Sequence, residues 1–114
     1  MEPLIARPIG DKEIALINYL LSVTKDKPAD LAIPTTVYTM NDGAMGSIRL
    51  VDNDNRYIFL RELVEAHYID EDGIPVSISL NLNTDNKLFE LDIFKGDFNP
   101  LKRYPTPETV RIKD

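Results

Sequence analysis

From Thr36 onward the chain changes to a period of two, and that pattern constrains the fold more than anything else in it. "VYTM", "SIRLV", "RYIFLRELVEAHYI", "IPVSISLNLN" and "KLFELDIFK" alternate apolar and polar residues, and the links are "NDGAMG", "DNDN", "DEDG" and "TDN". Alternation places every second side chain on one face of a pleated strand. Asp, Asn and Gly are what tight hairpins require, so consecutive strands are expected to be antiparallel neighbours in a meander. Five strands are predicted.

Upstream lies a segment of different period, "PIGDKEIALINYLLSVTKDKP". With Gly10 as N-cap, Glu13 falls at the third helical position and can reach back to the cap amide, while Ile9 and Ile14 take the staple positions. Pro28 stops any continuation. Ile14, Leu16, Ile17, Leu20, Leu21 and Val23 cover most of the circumference, an arc that calls for a sheet beneath the helix and a flank beside it. The C-terminal tail or a second subunit would serve as that flank. The expected fold is α+β: an N-terminal helix packed on a five-stranded antiparallel meander, formed by residues 1–100. "NPLKRYPTPETVRIKD" has three prolines and reads as an extended tail over 101–114.

Three strands can be placed in register. The loop Glu71-Asp72-Gly73 matches a three-residue hairpin with glycine in the left-handed position. It sets Tyr68 opposite Val76, Ala66 opposite Ile78 and Val64 opposite Leu80, with His67 beside Ser77 and Glu65 beside Ser79. Upstream of Glu62 the strand is apolar on both faces (Tyr57, Ile58, Phe59, Leu60), so a bulge is expected near Arg61-Glu62. For the next pair, Leu80 opposite Phe89 brings Ile78 to Leu91 and Val76 to Ile93. The other face then carries Glu65, His67, Ser77, Ser79, Glu90 and Asp92.

That face invites two chemical readings, and neither is adopted. His67, Ser77 and Asp92 would lie in one row, but serine is central, whereas a triad needs histidine between nucleophile and carboxylate. Glu65, His67, Glu90 and Asp92 have metal-ligand chemistry, but a flat sheet spreads them apart. Lys95 and Arg61 are expected to pair with these carboxylates. The Asp/Asn-rich links lack the glycine and late glutamate of a calcium loop. No metal and no cofactor are predicted.

Charge and composition exclude more. The chain has 114 residues, no cysteine, 19 acidic against 13 basic side chains and a formal charge of −6. Disulfides, zinc–thiolate sites and thiol nucleophiles are excluded. Clustered cations are missing, so neither nucleic acid nor an anionic membrane is expected as partner. "IALINYLLSV" is too short to span a bilayer and lacks the flanks of a signal peptide. The expected location is cytoplasmic.

"TMNDGAMGSIRL" (39–50) is the remaining oddity. It lacks the Lys-Ser/Thr ending and following helix of a phosphate loop, and a strand follows it. It reads as a turn in which Gly43 and Gly46 serve backbone geometry, and Met45 is exposed unless it folds inward, where its thioether could fill a gap. A partner-contacting role for Asp42, Gly43, Met45 and Gly46 is the alternative.

"MNDGAMGS", "DEDGIPVSISLNLN" and "LFELDIFKGDFNPL", after an "EIALINYLL" helix, together resemble a family of small bacterial domains of unknown function. Its pattern has a met–x–asp–gly–gly–met–gly–ser stretch, a ser–leu–asn strand and a glu–leu–asp–ile–trp–lys strand. The chain departs from it at Ala44, where glycine is expected, and at Phe94, where tryptophan is expected. The resemblance implies the fold and a bacterial origin, and brings no activity.

The function expected on these grounds is a non-enzymatic protein-interaction module, able to bind a basic partner protein as immunity proteins bind toxins. The alternative is a small ligand- or metal-binding domain, or an enzyme, using the polar outer face. The contact candidates are Asp42, Gly43, Met45, Gly46, Glu65, His67, Glu90 and Asp92, with no catalytic residue among them. Homo-oligomers are compatible with the wide apolar arc of the helix.

Overall fold

The hairpin of β4 (Phe59–Ile69) and β5 (Pro75–Asn83) is the longest paired unit, and its geometry follows from one glycine. Gly73 has φ +82° and its N–H bonds the Asp70 carbonyl at 2.9 Å, which closes the turn that Asp70 and Ile74 flank. The register is the predicted one, with Tyr68 opposite Val76, Ala66 opposite Ile78 and Val64 opposite Leu80. Irregularities fall between Phe59 and Arg61 and between Glu62 and Val64, where the apolar pattern loses its alternation. The computed structural model describes residues 5–29, 31–40, 43–50 and 59–113. Tyr57, Ile58 and the "DNDN" link lie outside the described residues, as does Asp42.

The hairpin of β5 and β6 (Leu88–Lys95) corrects the expected register by two residues. Leu80 faces Leu91, Ile78 faces Ile93 and Val76 faces Lys95. Two separate one-residue insertions cause the shift. The Asn83 N–H bonds the Lys87 carbonyl at 2.9 Å across a loop of Thr84, Asp85 and Asn86, with Asn86 in the left-handed region at φ +59°. The Asn83 side-chain oxygen accepts the Asp85 and Lys87 amides, stabilising this longer loop. The longer loop sets Leu88 against Leu82, where Leu88 joins the core, and a bulge at Phe89 then sets Glu90 against Asn81. Each insertion alone would turn the strand over; the two together restore the apolar face.

The sheet has seven strands among the described residues, in the order β1-β2-β3-β6-β5-β4-β7. The expected five are present, and β1 (Ile5–Pro8) and β7 (Arg111–Ile112) are additional. The order departs from a meander at two places. β3 (Ile48–Arg49) pairs with β6, through Ile48 opposite Leu91 and Arg49 opposite Glu90, rather than with β4. β7 occupies the β4 edge instead, with Arg111 opposite His67. β2 (Thr36–Thr39) joins β1 to β3.

Helix α1 (Asp11–Val23) starts as the sequence indicates: Gly10 is the N-cap and the Glu13 carboxylate accepts the Gly10 amide at 2.8 Å. Leu16, Ile17 and Leu20 are fully buried in one core with Ile78, Leu80, Leu91 and Ile93. The C-terminal segment supplies the flank that the wide apolar arc called for. It is no extended tail: Pro107–Thr109 form a 3-10 turn beside α1, Val110 enters the core and β7 extends the sheet.

Candidate functional site

The loop before β3 holds three departures from ordinary backbone within four residues. Gly43 has φ +75°, Ala44 +64° and Gly46 +102°. Glycine populates this region freely, whereas Ala44 has a Cβ that meets its own backbone there. Met45 turns inward, is 8% exposed and places Sδ 3.3 Å from the Lys95 amide. Ser47 continues the pairing to β6 through its hydroxyl, which accepts the Ile93 N–H at 2.8 Å. Its own proton has the Asp92 carboxylate and the Ile93 carbonyl as acceptors, both at 3.1 Å.

On one side of this loop is a cleft of about 700 Å³. Its opposite wall is the start of α1 together with Arg7 of β1, and Tyr104 contributes from the C-terminal segment. Arg7 and Glu13 form a two-point ion pair at 2.8 and 2.7 Å. Burial alone would raise the Glu13 carboxyl, but Arg7 and the Gly10 amide outweigh it and hold it below the ordinary range. Burial raises the Tyr104 phenol. Both groups are thereby locked in the protonation state they already have at neutral pH. Arg7 and Glu13 therefore give this wall a closed ion pair and Tyr104 a neutral phenol, and Asp11 and Lys12 line it as well.

On the other side of the loop is an exposed aromatic pair. A Cβ on Gly43 would meet the Phe98 carbonyl at 3.8 Å, so the loop and the turn after β6 abut. Phe98 is 69% exposed and held at φ +65°. Its ring stands edge-on to Phe94, with centroids 5.1 Å apart. A bulky side chain at positive φ is strained, and here no core burial offsets the strain.

The remaining candidates lie on the open sheet face, and the corrected register rearranges them. His67 is opposite Ser77, and Ser77 is opposite Phe94, so the row expected to end at Asp92 ends at an aromatic ring. Glu65, Ser79 and Asp92 form the adjacent row, and Glu90 is opposite Asn81. The carboxylates are paired, though not with Lys95 and Arg61 as expected. Lys113 is 3.4 Å from Glu65, Arg49 is 3.0 Å from Glu90, and Ser47 reaches Asp92. Arg49 also covers the Phe89 ring at 4.6 Å. Among the described residues no three histidine, cysteine, aspartate or glutamate side chains cluster as metal ligands would. No described helix is long and apolar enough to cross a membrane.

Lys95 is instead fully buried with two aspartates from the β4–β5 turn. Its ammonium is 3.0 Å from Asp70 and 2.6 Å from Asp72. Asp70 also accepts the backbone amides of Lys102, Arg103 and Glu71, at 2.8, 3.0 and 2.8 Å. Burial pushes Asp70 up, but the Lys102 amide, the Lys95 ammonium and the Glu71 amide outweigh it and bring it down to about 2.

Among the described residues, fold and site together define an α+β domain with a glycine-rich loop set between a cleft and an exposed aromatic pair. The chain belongs to the domain of unknown function DUF6984, whose family model matches residues 6–105. Searches of curated proteins and of solved structures returned no match.

Sequence reasoning selected Gly43 and Gly46 and missed Phe98, Tyr104, Arg7 and the Asp70–Lys95 pair. The cleft residues come from three distant segments, and only the strand order brings them together. Phe98 carries no signal in the sequence, because its significance is a backbone angle.

Proposed function

We propose that this chain is a non-enzymatic protein-interaction domain whose contact surface is centred on the loop of Gly43, Ala44 and Gly46. One observation carries the reading: Phe98 is exposed and strained beside that loop, its ring edge-on to Phe94. Glycine at this position would relieve the strain, so an aromatic ring kept here serves a contact outside the chain. Exposed aromatic side chains are the usual anchors of protein interfaces. The adjoining cleft is deep enough to receive a side chain of the partner, and the formal charge of −6 suits a basic one.

The cleft also supports a second reading, a small ligand bound against Arg7 and Tyr104. Affinity capture separates the two. The wild-type chain and a Phe94→Ser/Phe98→Ser double variant serve as baits, because both rings are exposed and the variant should stay folded. The account expects a basic protein retained by the wild type and lost by the variant. Retention by both baits would overturn it. So would a small molecule that co-purifies with both chains while no protein is captured.

A further inference from the structure

The contact surface is made of segments far apart in sequence, and neither the loop before β3 nor the turn after β6 belongs to a regular strand. Something has to hold them in place. The segment from Pro100 to Tyr104 backs both. The Leu101 amide bonds the Ala44 carbonyl at 3.4 Å. Gly46 lies so close to this segment that a Cβ would stand 3.3 Å from Leu101 Cδ1 and 3.7 Å from Tyr104 Cε1. Besides the packing of Leu101 and Tyr104 on the core, the segment is tied by polar contacts around Asp70. Asp70 takes the Lys102 and Arg103 amides, Lys95 Nζ is 3.4 Å from the Pro100 carbonyl, and the Tyr68 hydroxyl donates to the Arg103 carbonyl at 2.8 Å.

We infer that Asp70, Lys95 and Asp72 form an ionic latch that positions the Gly43–Gly46 loop and the Phe98 turn through residues 100–104. Its use in binding rests on the contact surface proposed above. Lys95 is the residue common to both halves. Its ammonium closes on the two aspartates, its amide touches Met45 Sδ, and its carbonyl accepts the Phe98 amide at 2.9 Å. A core contact of the same volume would fill space without direction. The carboxylate of Asp70 has a fixed set of acceptor positions, all occupied, and therefore determines where residues 102 and 103 lie. Asp70 and Lys95 are positioning residues and touch no partner themselves.

Amide hydrogen exchange tests this without a partner, so its outcome is separable from that of the capture experiment. In Asp70→Asn the Leu101 amide, which joins the segment to the loop, and the Lys95 amide, which joins β6 to it, should exchange at least about tenfold faster, while those of Ile78 and Leu80 stay unchanged. Asp72→Asn, which keeps Asp70, should give a smaller rise at the same amides and carries the test if Asp70→Asn does not fold. Adding Ala44→Gly to Asp70→Asn should recover melting temperature without recovering protection at Leu101. Unchanged exchange at Leu101 and Lys95 would overturn the latch. So would acceleration that Ile78 and Leu80 share equally, because the pair would then be a general support of the fold.

Discussion

The paired strands of the β4–β5 hairpin and its turn follow different physics. From Val64 to Tyr68, opposite Val76 to Leu80, apolar residues collect on one face and polar residues on the other. Nothing there is strained and nothing charged is buried. Around the turn of Asp70 to Gly73, a lysine with no exposed surface is clamped by two aspartates. Close by, Ala44 and Phe98 occupy conformations suited to glycine. The first region gains its stability mainly from burial. The second spends some of that stability on holding irregular backbone in one shape, which is what a recognition surface requires.

Substitutions should divide along the same line. The largest loss is expected from Asp70→Ala, which strands a buried ammonium and three amide donors, at about 3–5 kcal/mol in chemical denaturation. The effect has a pH signature. Asp70 is depressed in the folded chain, so its contribution is fully present above the ordinary aspartate range and is lost as pH falls from about 4 through about 2. The groups facing it are Lys95, Asp72 and the Tyr68 phenol. Lys95 stays charged throughout this window, and the phenol, which burial raises, stays neutral. Melting temperature against pH should therefore fall less steeply below pH 4 for Asp70→Asn than for the wild type. Equal slopes would remove Asp70 from the account.

In the regular region, Leu80→Ala should cost about 2–5 kcal/mol through the cavity it leaves, with no pH dependence of its own. A pH-dependent loss there would blur the contrast between the regions. Gly46→Ala should cost about 2 kcal/mol, since it combines a positive φ with a Cβ pressed 3.3 Å from Leu101. Gly43→Ala meets only the backbone penalty and should cost less. Ala44→Gly runs the other way, with an expected gain of about 1 kcal/mol from relief of the left-handed strain. A loss of stability in that variant would show that Ala44 is not strained.

Much of the fold was legible in the sequence for stated reasons. Gly10 and Glu13 mark the helix start, Gly73 fixes the first hairpin, and alternation places Val76, Ile78 and Leu80 inward. The second hairpin misled because its left-handed residue is Asn86, a weaker signal than glycine, and because the bulge at Phe89 leaves no compositional trace. β1 and β7 are too short to show a period. Strand order was hidden for a different reason: Ile48 could meet an apolar neighbour on either β4 or β6, and alternation does not choose between them. The site was legible only at its glycines. The expectation of glycine at position 44, implied by the family resemblance, has its cause in the φ of +64° there.

The central claim is that Phe98 is kept for a partner at the expense of stability, and Phe98→Gly tests it directly. Melting temperature and retention of the captured protein would be measured on the same preparation. The account predicts a higher melting temperature, because φ +65° suits glycine, together with loss of the partner. A variant that is less stable, or that is stabilised and still holds its partner, would contradict it.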